Sequence, residues 1–452
     1  MHRLYMKIVA FAAYTFLNIP VLTAQELEPI DSIYLKTVVN FSQNLKSIKG
    51  KAWPGMEIGP FCIFRLNGPA FLMNHPEPPI YAKKWQDSVY FFNQADNALM
   101  GTSQTEINHY LTAHNNYGQS FYVSEHQFFA ELFHELHHVY QRNHLKKLQF
   151  DNPVELLSYP EDYRNDAIKQ YENELLLDMV TGSATKFREN LNKLFSCRTL
   201  RQEIIGPKYI TYEKRVESAE GPATYCEYMY MKEFSSTVQE QEYINKRFFY
   251  SLIEPTYGRE GLRNKHLLIG MMQCLLLSRN FKNWQRDYYN SELPLNDYFF
   301  FKFKPEQVKL PPLDAYKAKA KHFTTAEKEK HKQNLEVFNS QNGLRITLLF
   351  NKSPDFKGFD PMHAEAINDS LILHSTLLKL GKGNNYFNVS NHRTVTQIDG
   401  QVWFVKSVTF YVPESTIRID KKVFICNKEN ISINWQFLKQ VRKENEYIIT
   451  LE

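Results

Sequence analysis

The chain has 452 residues, of which 43% are hydrophobic, and a formal net charge of +5 at pH 7. This length is enough for two domains with substantial cores. The mild charge and the lack of a basic stripe interleaved with aromatics give no sign of a nucleic acid partner. Five widely spaced cysteines without a Cys-x-x-Cys pair indicate neither a thiolate zinc site nor a disulfide framework. Most are expected to be small buried residues, although export would permit one disulfide.

Residues 1–24 have the pattern of a secretory signal peptide. Arg3 and Lys7 precede an apolar run over residues 8–22, and cleavage is expected after Ala24. The run is shorter than the ~20 residues that a membrane span needs and is interrupted by polar and proline residues. We therefore expect an exported protein, periplasmic or extracellular, with no membrane span after signal removal.

A helix over residues 33–48 and a small sheet are predicted next. Short apolar runs between proline and glycine residues indicate the strands. The predicted strands are Phe61 to Leu66, Phe71 to Met73, Ser88 to Phe92, Thr105 to Ala113 and Gln119 to Val123.

Residues 124–148 form the segment with the clearest chemistry. Apolar residues recur at the 3.6-residue period of a helix, and Ser124 with Gln127 resembles a capping box. On such a helix His134 and His138, four residues apart, present their imidazoles to one point. Zinc suits imidazole ligands, and with a third protein ligand it keeps a position open for water. Glu135, beside the first histidine, is placed to take the proton of that water. The alternative is an amphipathic helix that happens to be rich in histidine.

Residues 165–181 are predicted to form a second helix, ended by Gly182. Glu172 falls within its apolar stripe, where a carboxylate needs a metal, an arginine or a metal-bound histidine as partner. Glu174 and Asp178 also fit a pattern in which the glutamate binds a metal and the aspartate orients a histidine. A solvated helix edge is the ordinary interpretation of both.

The segment from Glu220 to Glu227, EGPATYCE, is predicted to begin a third helix, with Pro222 in its first turn. Glu220 is a candidate third metal ligand, and Gly221 would let two helices approach closely. The alternative is a helix start that merely contains Glu, Gly and Pro.

An apolar helix from Asn264 is expected to form the back of the core. His266 and Tyr257 are candidate donors to a developing oxyanion, although a lone His or Tyr is more often structural. Residues 314–340 are rich in lysine and predict a solvated helical linker. From residue 341 to 452 the pattern has period two, which predicts a separate all-β domain with a hairpin at Asp399-Gly400. Its aromatics Trp403, Phe410 and Tyr411 are either core residues or ligand contacts.

With these residues in view, the chain resembles the gluzincin metallopeptidases. More closely, FFAELFHELHHVYQ followed by EGPATYCEY is similar to the peptidase MA-like group of bacterial zincins, and the resemblance covers about residues 121–231. It implies an α+β fold in which residues 25–313 form a zincin-like, mostly helical catalytic domain with a small N-terminal sheet. It also implies Zn²⁺ held by His134, His138 and Glu220, Glu135 as general base, and a peptide or protein substrate.

One departure keeps the third ligand open. Glu220 lies eighty-two positions after His138, a much longer spacing than in compact members of the group. Glu172 and Glu174 lie between them and remain alternatives.

Three functions follow from these observations. The leading hypothesis is an exported zinc metallohydrolase, a peptidase that cleaves amide bonds with a zinc-activated water. The second is a binding protein on a zincin scaffold, whose β domain docks to a surface protein or glycan. The intact set of His134, Glu135 and His138 argues against a binding protein, since a site that no longer catalyses has no need for the base Glu135. The third is hydrolysis of a non-peptide amide or ester at the same site.

Overall fold

The computed structural model describes residues 27–66, 68–86, 89–93, 99, 101–118, 122–145, 153–259, 261–360, 363–368, 370–399 and 401–451. The expected signal peptide, residues 1–24, lies outside these ranges. The described chain mixes helices with a small N-terminal sheet and a C-terminal all-β region, as predicted. Within these ranges, no helix combines the length and the apolar character that crossing a membrane requires.

The chain divides into two compact units. The first contains the chain up to Lys51 and residues Met56–Tyr140, and the second contains Ala52–Gly55 and the chain from Gln141 onward. Helix α1 spans Pro29–Ala52, and helix α2 spans Glu125–His144.

Six strands form the sheet of the first unit. They are β1 (Phe61–Phe64), β2 (Pro69–Met73), β3 (Lys83–Gln86), β4 (Val89–Asn93), β5 (Ser103–Ile107) and β6 (Tyr110–Asn116). Their order is β3-β4-β2-β1-β6-β5, so β5 lies at an edge. The β1–β6 pair is parallel, and the other pairs are antiparallel.

Two strand predictions in this unit need correction. The single strand predicted over Thr105 to Ala113 is two strands, because Asn108 and His109 both adopt positive φ, 43° and 69°, and form a two-residue hairpin turn. No strand forms at Tyr122 or Val123, the described part of the strand predicted over Gln119 to Val123. Residues 119–121 lie outside the described ranges.

The second unit begins with helices. They are α3 (Tyr163–Thr181), α4 (Phe187–Ile205), α5 (Pro207–Phe234), α6 (Val238–Ile244), α7 (Ser251–Ile253), α8 (Leu262–Asn280), α9 (Trp284–Asn290), α10 (Leu295–Phe303) and α11 (Asp314–Asn339). A π-helical turn at Asn245–Tyr250 joins α6 to α7. The predicted end of α3 at Gly182 is confirmed.

Helix α5 corrects the interpretation of Pro222. It begins at Pro207, directly after Gly206, whose φ is +86°, so Pro222 lies inside the helix and not in its first turn. An internal proline cannot donate to the carbonyl four residues earlier. Gly221, Pro222 and Ala223 are all buried, and Gly221 packs against Gly270 of α8, so tertiary packing supports the helix where this hydrogen bond is lost.

Helix α11 coincides with the predicted lysine-rich helix over residues 314–340. Most of its surface is exposed, but Ala320, Thr324, His331 and Phe338 are buried. The Tyr316 hydroxyl donates to Glu174 on α3. This helix is therefore packed against the helical core along one side.

Twelve strands form the C-terminal sheet. They are β7 (Leu344–Phe350), β8 (Asp355–Phe359), β9 (Ala364–Ala366), β10 (Leu371–His374), β11 (Leu377–Lys382), β12 (Asn385–Ser390), β13 (Thr394–Asp399), β14 (Gln401–Val412), β15 (Ile417–Asp420), β16 (Val423–Lys428), β17 (Ile431–Lys443) and β18 (Glu446–Leu451). β13 and β14 pair as an antiparallel hairpin at the predicted Asp399 turn. β18 lies between β17 and β7, antiparallel to the first and parallel to the second.

The burial of the aromatic residues and of the cysteines can be compared with the sequence predictions. Phe410 is a fully buried core residue and Tyr411 is nearly so, whereas Trp403 is 42% exposed. All five cysteines are buried free thiols, as expected for small core residues.

Candidate metal centre

The histidine helix forms where the sequence predicts it, as α2. Ser124 Oγ accepts a hydrogen bond from the Gln127 N–H at 3.3 Å, and the Gln127 side chain accepts one from the Val123 N–H at 2.9 Å. This resembles a capping box shifted by one residue. The helix ends at His144, and residues 146–150 lie outside the described ranges. Its apolar stripe is buried at Phe128, Phe129, Leu132, Phe133, Leu136 and Val139.

The structure brings His134 and His138 together, one helical turn apart. Their Nε2 atoms lie 3.1 Å from each other, and the side chains are buried, with 8% and 3% exposed. Two nitrogen ligands at about 2.05 Å from one zinc ion, at the tetrahedral angle, are roughly 3.3 Å apart. The separation of the two nitrogens is therefore close to that of two ligands of one zinc ion.

Glu135 lies beside this pair on α2 and is 9% exposed. Its Oε2 atom accepts a hydrogen bond from the side-chain amide of Gln104 on β5. The carboxylate is thus held by a neutral donor from the neighbouring sheet. Sequence reasoning missed Gln104, because a polar residue on a predicted strand carries no signal of what it faces.

A third histidine on α2, His137, is fully buried. Burial, together with the neighbouring His138 and His134, holds the pKa of His137 well below its ordinary value. It is a neutral residue of the core and not a further cation in the site.

Glu220 lies in the middle of α5 and is 6% exposed. Arg263 on α8 donates to its Oε1 atom at 2.8 Å. The sequence predicts that Gly221 lets its helix approach the histidine helix, but the helix that Gly221 meets closely is α8, at Gly270. The arginine and the carboxylate face each other because of that close crossing.

The two alternative glutamates have other partners. Glu172 is fully buried and accepts a bond from Arg201 at 2.6 Å, with Arg198 at 3.4 Å. Glu174 accepts bonds from Gln170, at 3.3 Å, and from Tyr316. Asp178 is exposed. The sequence predicts a metal, an arginine or a metal-bound histidine as the partner of Glu172, and the structure gives it an arginine.

His266 belongs to a second buried group with Glu213 and Glu217. Its Nδ1 lies 2.8 Å from Glu217 Oε1, its Nε2 lies 3.4 Å from Glu213 Oε1, and all three side chains are fully buried. These three residues could also hold a metal ion by donor type and spacing. Arg198 and Arg201 already reach the same carboxylates, so the group is an ionic network balanced by cations of the chain itself.

Charges in this network are mutually stabilised. Although burial raises it, Arg198 and His266 bring the pKa of Glu217 down to about 2. Although burial lowers it, the two glutamates raise the pKa of His266. Sequence reasoning missed this network because its members come from α3, α4, α5 and α8, and only packing brings them together.

Tyr257, the other candidate donor, is 8% exposed and stacks on Phe323 of α11 with ring centroids 4.6 Å apart. It joins a small apolar cluster with Ala167 and Ala320. Its position is that of a packing residue beside α11.

Comparison of the chain with protein-family models, with curated proteins and with solved structures finds no match. Assignment of a function therefore depends on the chemistry of the residues themselves.

Proposed function

We propose that the chain is an exported zinc-dependent hydrolase, most simply a peptidase, of the gluzincin kind. The observation that carries the proposal is the 3.1 Å approach of two buried imidazole nitrogens, with Glu135 on the same helix. Zinc is well suited to two imidazoles one helical turn apart.

Glu220 is the third ligand in this proposal. Two imidazoles and one carboxylate are a donor set that suits zinc and leaves a coordination position open for water. Gln141, the fourth residue from the end of α2, donates to the carbonyl of Ala219 at 2.9 Å, and Ala219 directly precedes Glu220. Arg263 donates to Oε1 of the Glu220 carboxylate, and carboxylates that bind metals are commonly oriented by such a hydrogen bond. Glu172 has an arginine at each oxygen, Arg201 at 2.6 Å and Arg198 at 3.4 Å, and each oxygen of Glu174 accepts a hydrogen bond, from Gln170 or Tyr316.

Bound zinc would supply a Lewis acid for the scissile carbonyl and a water that ionises near neutral pH. Glu135 accepts the proton of the attacking water and returns it to the leaving amine. His134 and His138 keep their Nε2 atoms in place because α2 is anchored by its buried stripe. His266 takes no part in the reaction, because two glutamates hold it. Tyr257 takes no part either, because its ring is stacked on Phe323.

The first test is the zinc content of the purified protein after zinc has been offered and excess removed. We expect about one ion per chain in the wild type, loss in Glu220→Ala, and retention in the matched variant Glu174→Ala. Loss of zinc in Glu174→Ala, with zinc retained in Glu220→Ala, would identify Glu174 and not Glu220 as the third ligand. A wild type that binds no zinc would overturn the proposal.

The second test is digestion of a broad peptide library by the zinc-loaded protein. We expect cleavage by the wild type and none by Glu135→Gln, which keeps the metal ligands and removes the base. Equal cleavage by the two proteins would show the mechanism to be wrong. Zinc binding without cleavage of peptides, other amides or esters would favour a binding protein on a zincin scaffold.

A further inference from the structure

The proposed base is held by a residue of the edge strand of the first sheet. Gln104 lies on β5, opposite Ala113 of β6, and its side-chain amide donates to Oε2 of Glu135. Both residues belong to the first unit. The contact joins the sheet to the helix that carries the histidines.

Asn115 of β6 fixes the strand and the helix to each other. Its Nδ2 donates to the Phe128 carbonyl in the first turn of α2, at 3.0 Å. Its Oδ1 accepts bonds from Thr102, directly before β5, at 2.7 Å and from Tyr122 at 2.9 Å. The buried Asn115 side chain therefore connects the residue that precedes β5 to the first turn of α2.

Aromatic packing fixes the orientation of this side of the sheet. Phe61 of β1 is paired in register with Ala113, so its side chain lies on the same face as Ala113 and Gln104. Phe61 contacts Phe41 of α1, with centroids 5.5 Å apart, and Phe41 stacks on Phe129 of α2 at 4.5 Å. Gln104 therefore projects from the helix-facing side of the sheet, and its bond to Glu135 follows from the packing.

We propose that Gln104 is a positioning residue for Glu135. This inference rests on the proposed function, since it assigns Glu135 as the base. The amide holds Oε2 and leaves Oε1 to receive the proton. A glutamate side chain has three rotatable bonds, and fixing them before substrate arrives removes an entropic cost from the reaction. A neutral amide does this without placing a full positive charge beside the carboxylate.

The kinetic test compares Gln104→Met, which keeps the length and removes the donor, with Ser103→Ala, an exposed neighbour on the same strand. We expect Gln104→Met to lower kcat about 10- to 100-fold with KM changed less than about twofold and zinc content unchanged. Gln104→Lys, which restores a donor of similar reach, should recover part of the loss. Ser103→Ala should match the wild type. A Gln104→Met protein with wild-type kcat would overturn the inference.

A second readout does not need the reaction. In metal-free protein, thermal unfolding midpoints are measured for the wild type, Gln104→Met, Glu135→Met and the double variant. A bond between the two side chains predicts that Gln104→Met lowers the midpoint more in the wild type than in the Glu135→Met background. Additive shifts would show that the contact does not form, and the inference would be wrong.

These readouts separate the two proposals. Hydrolysis that is abolished by Glu135→Gln but untouched by Gln104→Met leaves the proposed function standing and removes the role of Gln104. Non-additive midpoints in a protein without Glu135-dependent hydrolysis mean that the contact exists, while both the function and the positioning role fail.

Discussion

Gly221 of α5 and Gly270 of α8 face each other so closely that a Cβ atom built on Gly221 would lie 2.5 Å from the Cα atom of Gly270. A Cβ on Gly270 would in turn lie 2.5 Å from the Glu217 carbonyl oxygen. The obstacles are backbone atoms, which cannot rotate away as a flexible side chain does. The two glycines therefore set the distance between the helices that carry Glu220 and Arg263.

We expect Gly221→Ala to lower the free energy of unfolding by about 1–3 kcal/mol or more, because the helices must separate. The control is Gly50→Ala in α1, where a new Cβ meets nothing within 4 Å. That change should raise stability by about 0.5–1 kcal/mol, since alanine favours a helix over glycine. Urea denaturation measures both. Equal effects at the two positions would contradict the importance of the crossing.

Arg201 is fully buried and reaches Glu172 at 2.6 Å, and it also pairs with Glu213. We expect Arg201→Met to cost about 3–5 kcal/mol, because it leaves buried carboxylates without their cation. Arg418→Ala breaks an exposed pair with Asp420 and should cost less than about 1 kcal/mol. Chemical denaturation compares the two. A loss below about 1 kcal/mol in Arg201→Met would mean that Arg198 alone balances the network.

His331 of α11 lies between Glu161 and Glu365, with Nε2 3.1 Å from Glu161 and Nδ1 bonded to Glu365. These bonds raise the pKa of His331 to about 9. Arg259 and Lys330 line the same cavity as His331, and Asn334 donates a hydrogen bond to Glu365. Because the folded-state pKa is above the ordinary value, the stabilisation is complete below about pH 6.5 and is lost as the pH rises through about 9.

We expect this histidine to contribute on the order of 1–2 kcal/mol at neutral pH, after screening by solvent. Denaturation of the wild type and His331→Gln at a series of pH values from 6 to 10 tests this. The difference between the two proteins should shrink toward the alkaline end. A difference that stays constant with pH would rule out a charged His331.

The five cysteines offer a test of the core. All are buried, and burial raises the pKa of Cys62 and of Cys226, which keeps both as unreactive thiols. We expect no reaction with a thiol reagent such as DTNB in the native protein, and reaction of all five after denaturation. Fast reaction of any one cysteine before unfolding would place it at the surface.

Local patterns predicted the histidine helix well. The apolar period, Ser124 and the spacing of His134 and His138 all lie within one segment, so no distant contact was needed to interpret them. The same holds for the C-terminal end of α3 and for the Asp399 hairpin, each of which the sequence marks with a glycine.

Contacts between segments that are distant in the chain could not be predicted from the sequence. The segment Glu220 to Pro222 has the composition of a helix start, yet packing against α8 holds it inside a 28-residue helix. Glu172 was recognised as a buried carboxylate, but its partner Arg201 is brought to it only by the folding of α4 against α3. Gln104 had no signal at all, because its significance depends on the side chain it meets.

The place of β18 in the C-terminal sheet sets a condition on the order of folding. Glu446 is in register with Arg345 across the parallel pair, so the chain must close a loop of about a hundred residues to form it. Until then β7 and β17 each present an open edge that can pair with another chain. During synthesis β7 and β17 both emerge before β18, and a delay in their pairing with β18 exposes their edges to aggregation.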